Sequence, residues 1–410
     1  MDFINLFGAA ALVAVALLVG HALARFAPLD DSATSLPSLD GLRGLLTTLE
    51  FIAIASAWYG YIHGQGWRNG ESRLFYHFGQ TSIALLFMVT AFLHTTRLLE
   101  ARGKTFSWLH LYVSRLFRLT PTYVFAMLLM FGAVAYATLH HIDRAGTGIV
   151  LRAWSDIVTA AAVWLGFTFF GRPSIDGYLG TGLITAGLTW PVPWLWMFYG
   201  VLPLLAVPLR VTITVGPAVV AAACVLWIVL SAPALVIALP FGVGIVLALI
   251  LRVPGVATRL RGRAGALLAI TALTLLVLFG VTTYDAPTLG LGAAAVGVIA
   301  AGNDLFGFLS LRGARLLGRM AWGTWLLQPM ALYVLVMLAS GSLAAAQWSP
   351  TVYWAVMLAV QAGVLALSFA TWRLVEHPAA RAGAALEGSL RRLRSRVAPS
   401  GRWTLKRRRS

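Results

Sequence analysis

Charged residues are scarce in this chain, and acidic residues are the scarcest. Only 11% of its 410 residues are charged, against about 25% in ordinary soluble domains. Apolar residues make up 59%, and apolar runs long enough to cross about 30 Å of hydrocarbon recur from end to end. A soluble core cannot absorb so much apolar sequence. We therefore predict an all-α membrane protein.

Cysteine is nearly absent, and metal-binding spacings are missing. The sole cysteine, Cys224, lies inside an apolar run, which excludes an intramolecular disulfide and a cysteine-based metal site. No two of the eight histidines have the spacing of a zinc site. His63, His77 and His94 lie near predicted helix ends, where a hydrogen-bonded interfacial histidine is commoner than a catalytic one. We expect no metal.

Basic residues outnumber acidic ones by 31 to 14, which gives a formal net charge of +17. They lie between the apolar runs and in the C-terminal tail, which is the positive-inside pattern of membrane proteins and not a nucleic-acid surface. We expect anionic lipids to bind the tail. Four stretches hold 22 of these residues and are predicted to be cytoplasmic: Arg97–Arg118, Arg252–Arg263, Leu311–Arg319 and His377–Ser410.

Charge placement also tests the helix count, because stretches on one side of the membrane must be separated by an even number of crossings. Five apolar runs lie between Arg118 and Arg252, so one of them cannot cross. The shortest, Ile157–Phe170, has 14 residues, which fits a re-entrant or interfacial segment. It leads into a stretch rich in Gly, Pro and Trp. We therefore predict that residues 140–195 form a partly embedded cap on the outer face.

The remaining runs give about eleven transmembrane helices, with the N-terminus outside and the C-terminus in the cytoplasm. The first run, Ile4–Phe26, lacks the positive leading region of a cleaved signal and is predicted to be a retained helix. Residues 1–35 then form an N-terminal extra helix and linker, residues 36–380 a polytopic ten-helix body, and residues 381–410 a basic cytoplasmic tail. No internal repeat is visible.

The first helix of the body carries charges that need a reason. Ionisable side chains inside a bilayer are costly, so each is a functional candidate. Arg43 and Glu50 fall on one helical face about two turns apart. They form either a structural ion pair or a stripe of active-site residues, and Asp40 is placed to cap the start of the helix.

Arg115 and Arg118 form the second cluster. They lie three residues apart, at the cytoplasmic mouth of a helix that Pro121 is expected to open or kink. Two guanidinium groups there would suit a polyphosphate ligand such as coenzyme A or a lipid pyrophosphate. The alternative is that they only anchor the helix under the positive-inside rule.

Five motifs in order carry a family resemblance. They are Leu39-Asp40-Gly41-Leu42-Arg43-Gly44, the Phe-containing run Ile83–Leu93, Tyr112–Pro121 with its Arg-x-x-Arg-x-x-Pro pattern, Leu317–Leu327, and Trp372-Arg373-Leu374-Val375-Glu376-His377-Pro378. Together they resemble the acyltransferase-3 family, bacterial membrane O-acyltransferases that decorate surface polysaccharides and lipids. The resemblance spans residues 36–380 and implies a ten-helix body.

The resemblance implies transfer of an acyl group, usually acetyl, from cytoplasmic acyl-CoA to a hydroxyl of an extracytoplasmic glycan or glycolipid, in the bacterial cytoplasmic membrane. The family's catalytic histidine, eleven residues after Arg43, is replaced by Ile54. Its Leu-His step reads Leu327-Gln328, and Leu195 replaces an acid in a step that resembles Trp190–Trp196.

A hydroxyl acceptor normally requires a general base, and Glu50 lies one turn before Ile54. We therefore assign Arg43 and Glu50 as catalytic candidates and Arg115 and Arg118 as the acyl-CoA site. The other candidate site residues are Asp40, Trp190, Tyr199, Gln328 and Glu376.

Three functions stay open from the sequence. The first is an active acyltransferase with a rearranged site. The second is a non-catalytic family member that binds acyl-CoA or a lipid-linked glycan, or supports a partner protein. The third is a transporter or lipid flippase, against which the missing internal repeat argues mildly.

Overall fold

The structure, a computed structural model, describes residues 3–27, 36–67, 72–103, 106–140, 153–175, 178, 180–230 and 232–397. This part of the chain is helical and contains no β-strand, only an isolated bridge between Ile175 and Tyr178. The prediction of an all-α membrane protein is confirmed at this level. Six helical stretches are long and apolar enough to cross a membrane: Asn5–Phe26, Pro37–Ile62, Arg73–Glu100, Trp108–Leu139, Ala321–Ala339 and Pro350–Leu390.

The described residues form eighteen α-helices. The first nine are α1 (Phe3–Leu23), α2 (Pro37–Ile62), α3 (Arg73–Tyr76), α4 (Ser82–Glu100), α5 (Trp108–Leu139), α6 (Trp154–Leu165), α7 (Thr181–Ile184), α8 (Pro191–Ala206) and α9 (Val215–Leu230). The others are α10 (Leu239–Ile250), α11 (Val256–Leu260), α12 (Arg263–Phe279), α13 (Ala286–Ala300), α14 (Arg312–Arg319), α15 (Ala321–Tyr333), α16 (Ser342–Ala345), α17 (Pro350–Thr371) and α18 (His377–Val397). One π-helical stretch, His77–Thr81, joins α3 to α4.

Six shorter apolar helices, α6, α8, α9, α12, α13 and Leu235–Ile250, accompany the six long stretches. With 12 residues, α6 is about 18 Å long and falls well short of the hydrocarbon thickness. This length agrees with the expectation that Ile157–Phe170 does not cross. The total of eleven crossings stays a prediction.

Two expectations about helix starts are wrong. The Ser107 side chain accepts a hydrogen bond from the His110 amide, so α5 begins at Trp108 and runs through Pro121 without ending there. Pro121 therefore does not open the helix; it lies inside α5, and the kink expected as the alternative stays a prediction. On α2 the N-cap position is Leu36, with Pro37 following it, and no side chain caps the helix. Asp40 lies inside the first turn of α2, where it forms ion pairs with Arg43 and Arg319.

Helix α2 is the centre of the packing, and α14 lies directly against its first turns. A Cβ atom on Gly318 would lie 1.7 Å from the Asp40 carbonyl oxygen, and one on Gly41 would lie 2.0 Å from the Leu309 carbonyl oxygen. Only glycine permits this approach of the two backbones. The contact places Arg319, the last residue of α14, beside Asp40.

The start of the predicted tail is a helix docked on α5. Gly383 of α18 faces the Phe117 ring, where an added Cβ would lie 2.8 Å from Phe117 Cβ. Glu387 Oε2 lies 2.6 Å from His110 Nδ1. Residues 398–410 lie outside the described residues, and the division of the chain into three parts stays a prediction.

We expect α6 to enter and leave the membrane on the same side. In a Cys224→Ala background, single cysteines at Ala153 and Pro173 should both react with an impermeant thiol reagent added outside intact cells. Thr258→Cys, in the predicted cytoplasmic stretch, should react only after the membrane is opened. Labelling of positions 153 and 173 from opposite faces would show that α6 crosses.

The α2–α14 contact gives a stability prediction. Gly318→Ala should lower the free energy of unfolding by about 1–3 kcal/mol, because the methyl group has no room beside the Asp40 carbonyl. Gly290→Ala in α13 is the matched control, since nothing lies within 4 Å of its Cβ position. Alanine should be neutral or stabilising there. Thermal unfolding of the purified proteins measures both, and equal melting temperatures would contradict the contact.

Candidate functional site

A cavity of about 230 Å³ lies at the end of the bundle where α2 begins. Its walls come from α2, α4, α5, α8 and α15, and the last residue of α14 reaches it. We call it the arginine cavity, because five arginines line it: Arg43, Arg97, Arg115, Arg118 and Arg319.

These arginines come from four helices. Arg115 and Arg118 are one turn apart on α5 and point into the same space, so the prediction that they share a face is confirmed. Arg43 joins them from α2, Arg97 from α4 and Arg319 from α14. Positive-inside anchoring alone does not require such convergence, since anchoring needs only that each side chain reach the interface.

Asp40 is the only carboxylate among the described residues that line this cavity. Its oxygens lie 3.9 Å from Arg43 Nη1 and 3.9 Å from Arg319 Nε, which are ion-pair distances too long for hydrogen bonds. The Arg43–Glu50 ion pair considered from the sequence is not formed. One carboxylate against five guanidinium groups leaves a strongly positive cavity.

Tyr199 and His94 form one wall of the arginine cavity. Their ring centroids are 5.0 Å apart, and Tyr199 also interacts with Arg115. The His94 Nδ1 atom lies 2.9 Å from the Thr90 carbonyl oxygen. His94 Nε2 and Arg115 Nε are buried without a hydrogen-bond partner among the described residues. Buried polar atoms of this kind are normally satisfied by water or a ligand.

Three ionisable lining residues were not among the predicted site residues: His94, Arg97 and Arg319. The sequence contains a pattern that could have indicated His94 and Arg97. On α4, spacings of three or four residues separate Ile83, Phe87, Thr90, His94 and Arg97. All five line the arginine cavity. This spacing indicates a single helical face that becomes polar toward the end of the helix.

A second cavity, also about 230 Å³, lies further along α2. We call it the glutamate cavity, since Glu50 lines it. Ile54 also lines it, which confirms that Glu50 and Ile54 share a face. Glu50 is fully buried, and neither carboxyl oxygen forms a well-aligned hydrogen bond with the described residues. The Trp325 indole interacts with this carboxyl without forming such a bond.

The segment between α6 and α8 closes part of the glutamate cavity. Arg172, Ala186, Gly187, Leu188 and Trp190 line it. Arg172 Nη1 donates to the Gly187 carbonyl at 2.9 Å. The positive φ angles of Phe167, Thr168 and Ala186 mark a strained backbone of the kind found at functional sites. This segment covers one cavity. That residues 140–195 form a partly embedded cap on the outer face stays a prediction, and residues 141–152, 176, 177 and 179 lie outside the described residues.

The two cavities are separated by a thin partition. Ile83 lines both of them and is only 3% exposed. Beside it Phe87, which lines the arginine cavity, packs edge-to-face on Trp190 of the glutamate cavity with centroids 6.2 Å apart. Glu50 and Trp325 meet across the same boundary. Residues of α2 line both cavities. Those near the start of the helix line the arginine cavity, and those further along it line the glutamate cavity.

Two candidate residues from the sequence line neither cavity. Gln328 is fully buried, and both ends of its side chain lack a hydrogen-bond partner among the described residues. Glu376 is 4% exposed and lies behind the arginine cavity, near Arg118 and Thr122. Asp40, Trp190 and Tyr199, in contrast, do line a cavity.

Comparison with known proteins adds no assignment. No protein-family model, no curated protein and no solved structure matches this chain. The chemistry of the site therefore rests on the two cavities and the residues between them.

Proposed function

We propose that this protein is an integral membrane acyltransferase. It moves an acyl group, typically acetyl, from cytoplasmic acyl-CoA to a hydroxyl of an extracytoplasmic glycan or glycolipid, in the bacterial cytoplasmic membrane. The observation that carries the proposal is the order of groups along α2: a five-arginine cavity, a thin apolar partition, and a second cavity with an unpaired buried carboxyl. The ordered motifs that resemble acyltransferase-3 proteins support it.

The arginine cavity suits the phosphates of acyl-CoA. Guanidinium groups bind phosphate through paired, charge-assisted hydrogen bonds. From Arg97 to Ile83 the lining face of α4 is about 21 Å long, and its middle is apolar at Leu86 and Phe87. A linear pantetheine arm can lie along that face with its phosphates at the arginines. Its thioester then reaches the partition.

The glutamate cavity suits the acceptor. Trp67, Tyr76 and Trp190 provide aromatic surfaces for the apolar faces of sugar rings, while Gln80 and Arg172 provide hydrogen-bond donors. A pocket with apolar walls and a few placed polar groups is typical of small-ligand sites. In this proposal the glutamate cavity faces the extracytoplasmic side. The basic tail lies on anionic lipid at the opposite surface.

Glu50 is the proposed general base. Its carboxylate takes the proton of the acceptor hydroxyl while that oxygen attacks the thioester carbonyl carbon. The carbon–sulfur bond then breaks, the new ester stays on the acceptor, and the proton passes to the departing thiolate to give free CoA. Because both Glu50 oxygens lack a hydrogen-bond partner among the described residues, the carboxyl is available for this exchange. Arg43 helps to hold the donor.

Donor binding depends on the paired arginines of α5. The double variant Arg115→Ala/Arg118→Ala should weaken CoA binding by at least ~10²-fold, because each charge-assisted contact is worth about 1.5–3 kcal/mol. Isothermal titration of the purified protein with CoA measures this. The control Arg259→Ala/Arg263→Ala removes the same charge from another basic stretch and should bind normally. Equal affinities of all three proteins would reduce Arg115 and Arg118 to membrane anchors.

The base is tested by Glu50→Gln, which keeps the size of the side chain and removes its basicity. Transfer of labelled acetyl from acetyl-CoA to an envelope glycan fraction should fall by about 10²–10⁴-fold, the usual contribution of a general base. CoA binding and expression should not change. Glu100→Gln, an exposed carboxyl paired with Arg252 at 4.0 Å, is the matched control.

Ile54→His places an imidazole one turn beyond Glu50 in the same cavity and restores the family spacing from Arg43. It should recover transfer in the Glu50→Gln background. Full activity of Glu50→Gln alone would remove Glu50 from the mechanism. CoA binding without transfer, in both the wild type and Ile54→His, would favour the non-catalytic binding protein.

A further inference from the structure

The partition between the two cavities is one side chain thick at Ile83. This residue lines both the arginine cavity and the glutamate cavity, and only 3% of its surface is exposed. Among the described residues Ile83 is the one that lines both cavities, so the most direct route from the arginines to Glu50 passes its side chain. Isoleucine is branched at Cβ and therefore stiff at χ1, so the side chain yields little.

The neighbours of Ile83 leave little alternative room. Phe87 lies one turn further along α4 and is 4% exposed, with its ring held edge-on against Trp190. Trp325, which lines the arginine cavity, interacts with Glu50 of the glutamate cavity. Aromatic rings packed on several sides cannot move apart without losing their contacts with the core. The size of the Ile83 side chain therefore determines how wide a connection between the two cavities can be.

We propose that Ile83 is a specificity-determining residue that restricts the transferred acyl group to short chains. The inference rests on the proposed function, since it assumes that an acyl group travels from the arginine cavity to Glu50. A two-carbon acyl group needs only a small displacement of the isoleucine. A longer chain has to occupy the space of the Ile83 side chain itself while the thioester carbonyl lies beside Glu50.

Volume predicts which chains Ile83→Ala admits. The substitution removes three carbons, Cγ1, Cγ2 and Cδ1, which is close to the two extra carbons of butanoyl compared with acetyl. The ratio of kcat/KM for butanoyl-CoA to that for acetyl-CoA should rise at least ~10-fold, within the range of discrimination that hydrophobic pockets achieve per methylene. Ile83→Phe should lower kcat for both donors and leave CoA affinity unchanged, because the arginines are untouched.

The matched control is Val89→Ala. Val89 is also a β-branched, buried residue of α4, with an exposed fraction of 1%, but it lines neither cavity. Its substitution should leave the butanoyl-to-acetyl ratio unchanged. A ratio that shifts equally in Val89→Ala and Ile83→Ala would mean that general loosening of α4, and not the partition, sets the acyl preference.

A second measurement needs no transfer. Ala57 lines only the glutamate cavity, so Ala57→Cys in a Cys224→Ala background reports entry into that space. An anionic methanethiosulfonate reagent, added in proteoliposomes from the side on which α2 begins, should label this cysteine at least ~10-fold faster with Ile83→Ala than with Ile83. Val89→Ala should not accelerate labelling.

The two measurements separate the two ideas. Transfer with an unchanged chain preference and unchanged labelling would overturn the role of Ile83 and leave the acyltransferase proposal intact. Faster labelling of Ile83→Ala, in a protein that neither binds CoA nor transfers acetyl, would support the partition and overturn the acyltransferase proposal. A labelling rate that is insensitive to Ile83 would show that the cavities communicate elsewhere.

Discussion

Five guanidinium groups surround a cavity in which Asp40 is the only lining carboxylate of the described chain. Like charges this close repel one another strongly where water is scarce, so the packing has to hold them together. The glycine contacts between α2 and α14 do part of this, because they place Arg319 at ion-pair distance from Asp40, which also pairs with Arg43. A multiply charged anion would relieve the remaining repulsion. Binding of such an anion is therefore expected to stabilise the cavity.

The same ion pairs explain why Glu50 stays unpaired. Arg43 is the arginine nearest to Glu50 along α2, about two turns away, yet it turns toward Asp40. An arginine paired with Glu50 would hold the carboxylate in a fixed structural role. With Arg43 engaged by Asp40, the Glu50 carboxyl faces a cavity of its own and can accept a proton from a ligand. Asp40 therefore affects both cavities. It lines the arginine cavity, and its ion pair with Arg43 leaves Glu50 without an arginine partner in the glutamate cavity.

Helical periodicity predicted the parts of the site that lie within single helices. It placed Arg43 and Glu50 on one face of α2, and Arg115 with Arg118 on one face of α5. It could not predict that α4 and α14 bring Arg97 and Arg319 to the same point, because this depends on how helices distant in sequence pack. Asp40 is a residue type common at helix caps, so the sequence predicts a cap there, but α2 begins before it, at Pro37. Gln328 and Glu376 are predicted from motif position alone, which does not show the direction of a side chain.

The apolar partition also solves a problem that any such passage poses for a membrane. Arginines at one end and a carboxyl near the other would support a continuous column of water, and ions or protons could then leak along it. A narrow constriction of apolar side chains prevents this, because water is unstable in a confined apolar space. Ile83 and the Phe87–Trp190 contact form such a constriction. A short acyl group is itself apolar, so it can enter the constriction at little cost where a hydrated ion cannot. Under the proposed function, the barrier that would keep the membrane sealed is therefore also one that a short acyl group is suited to cross.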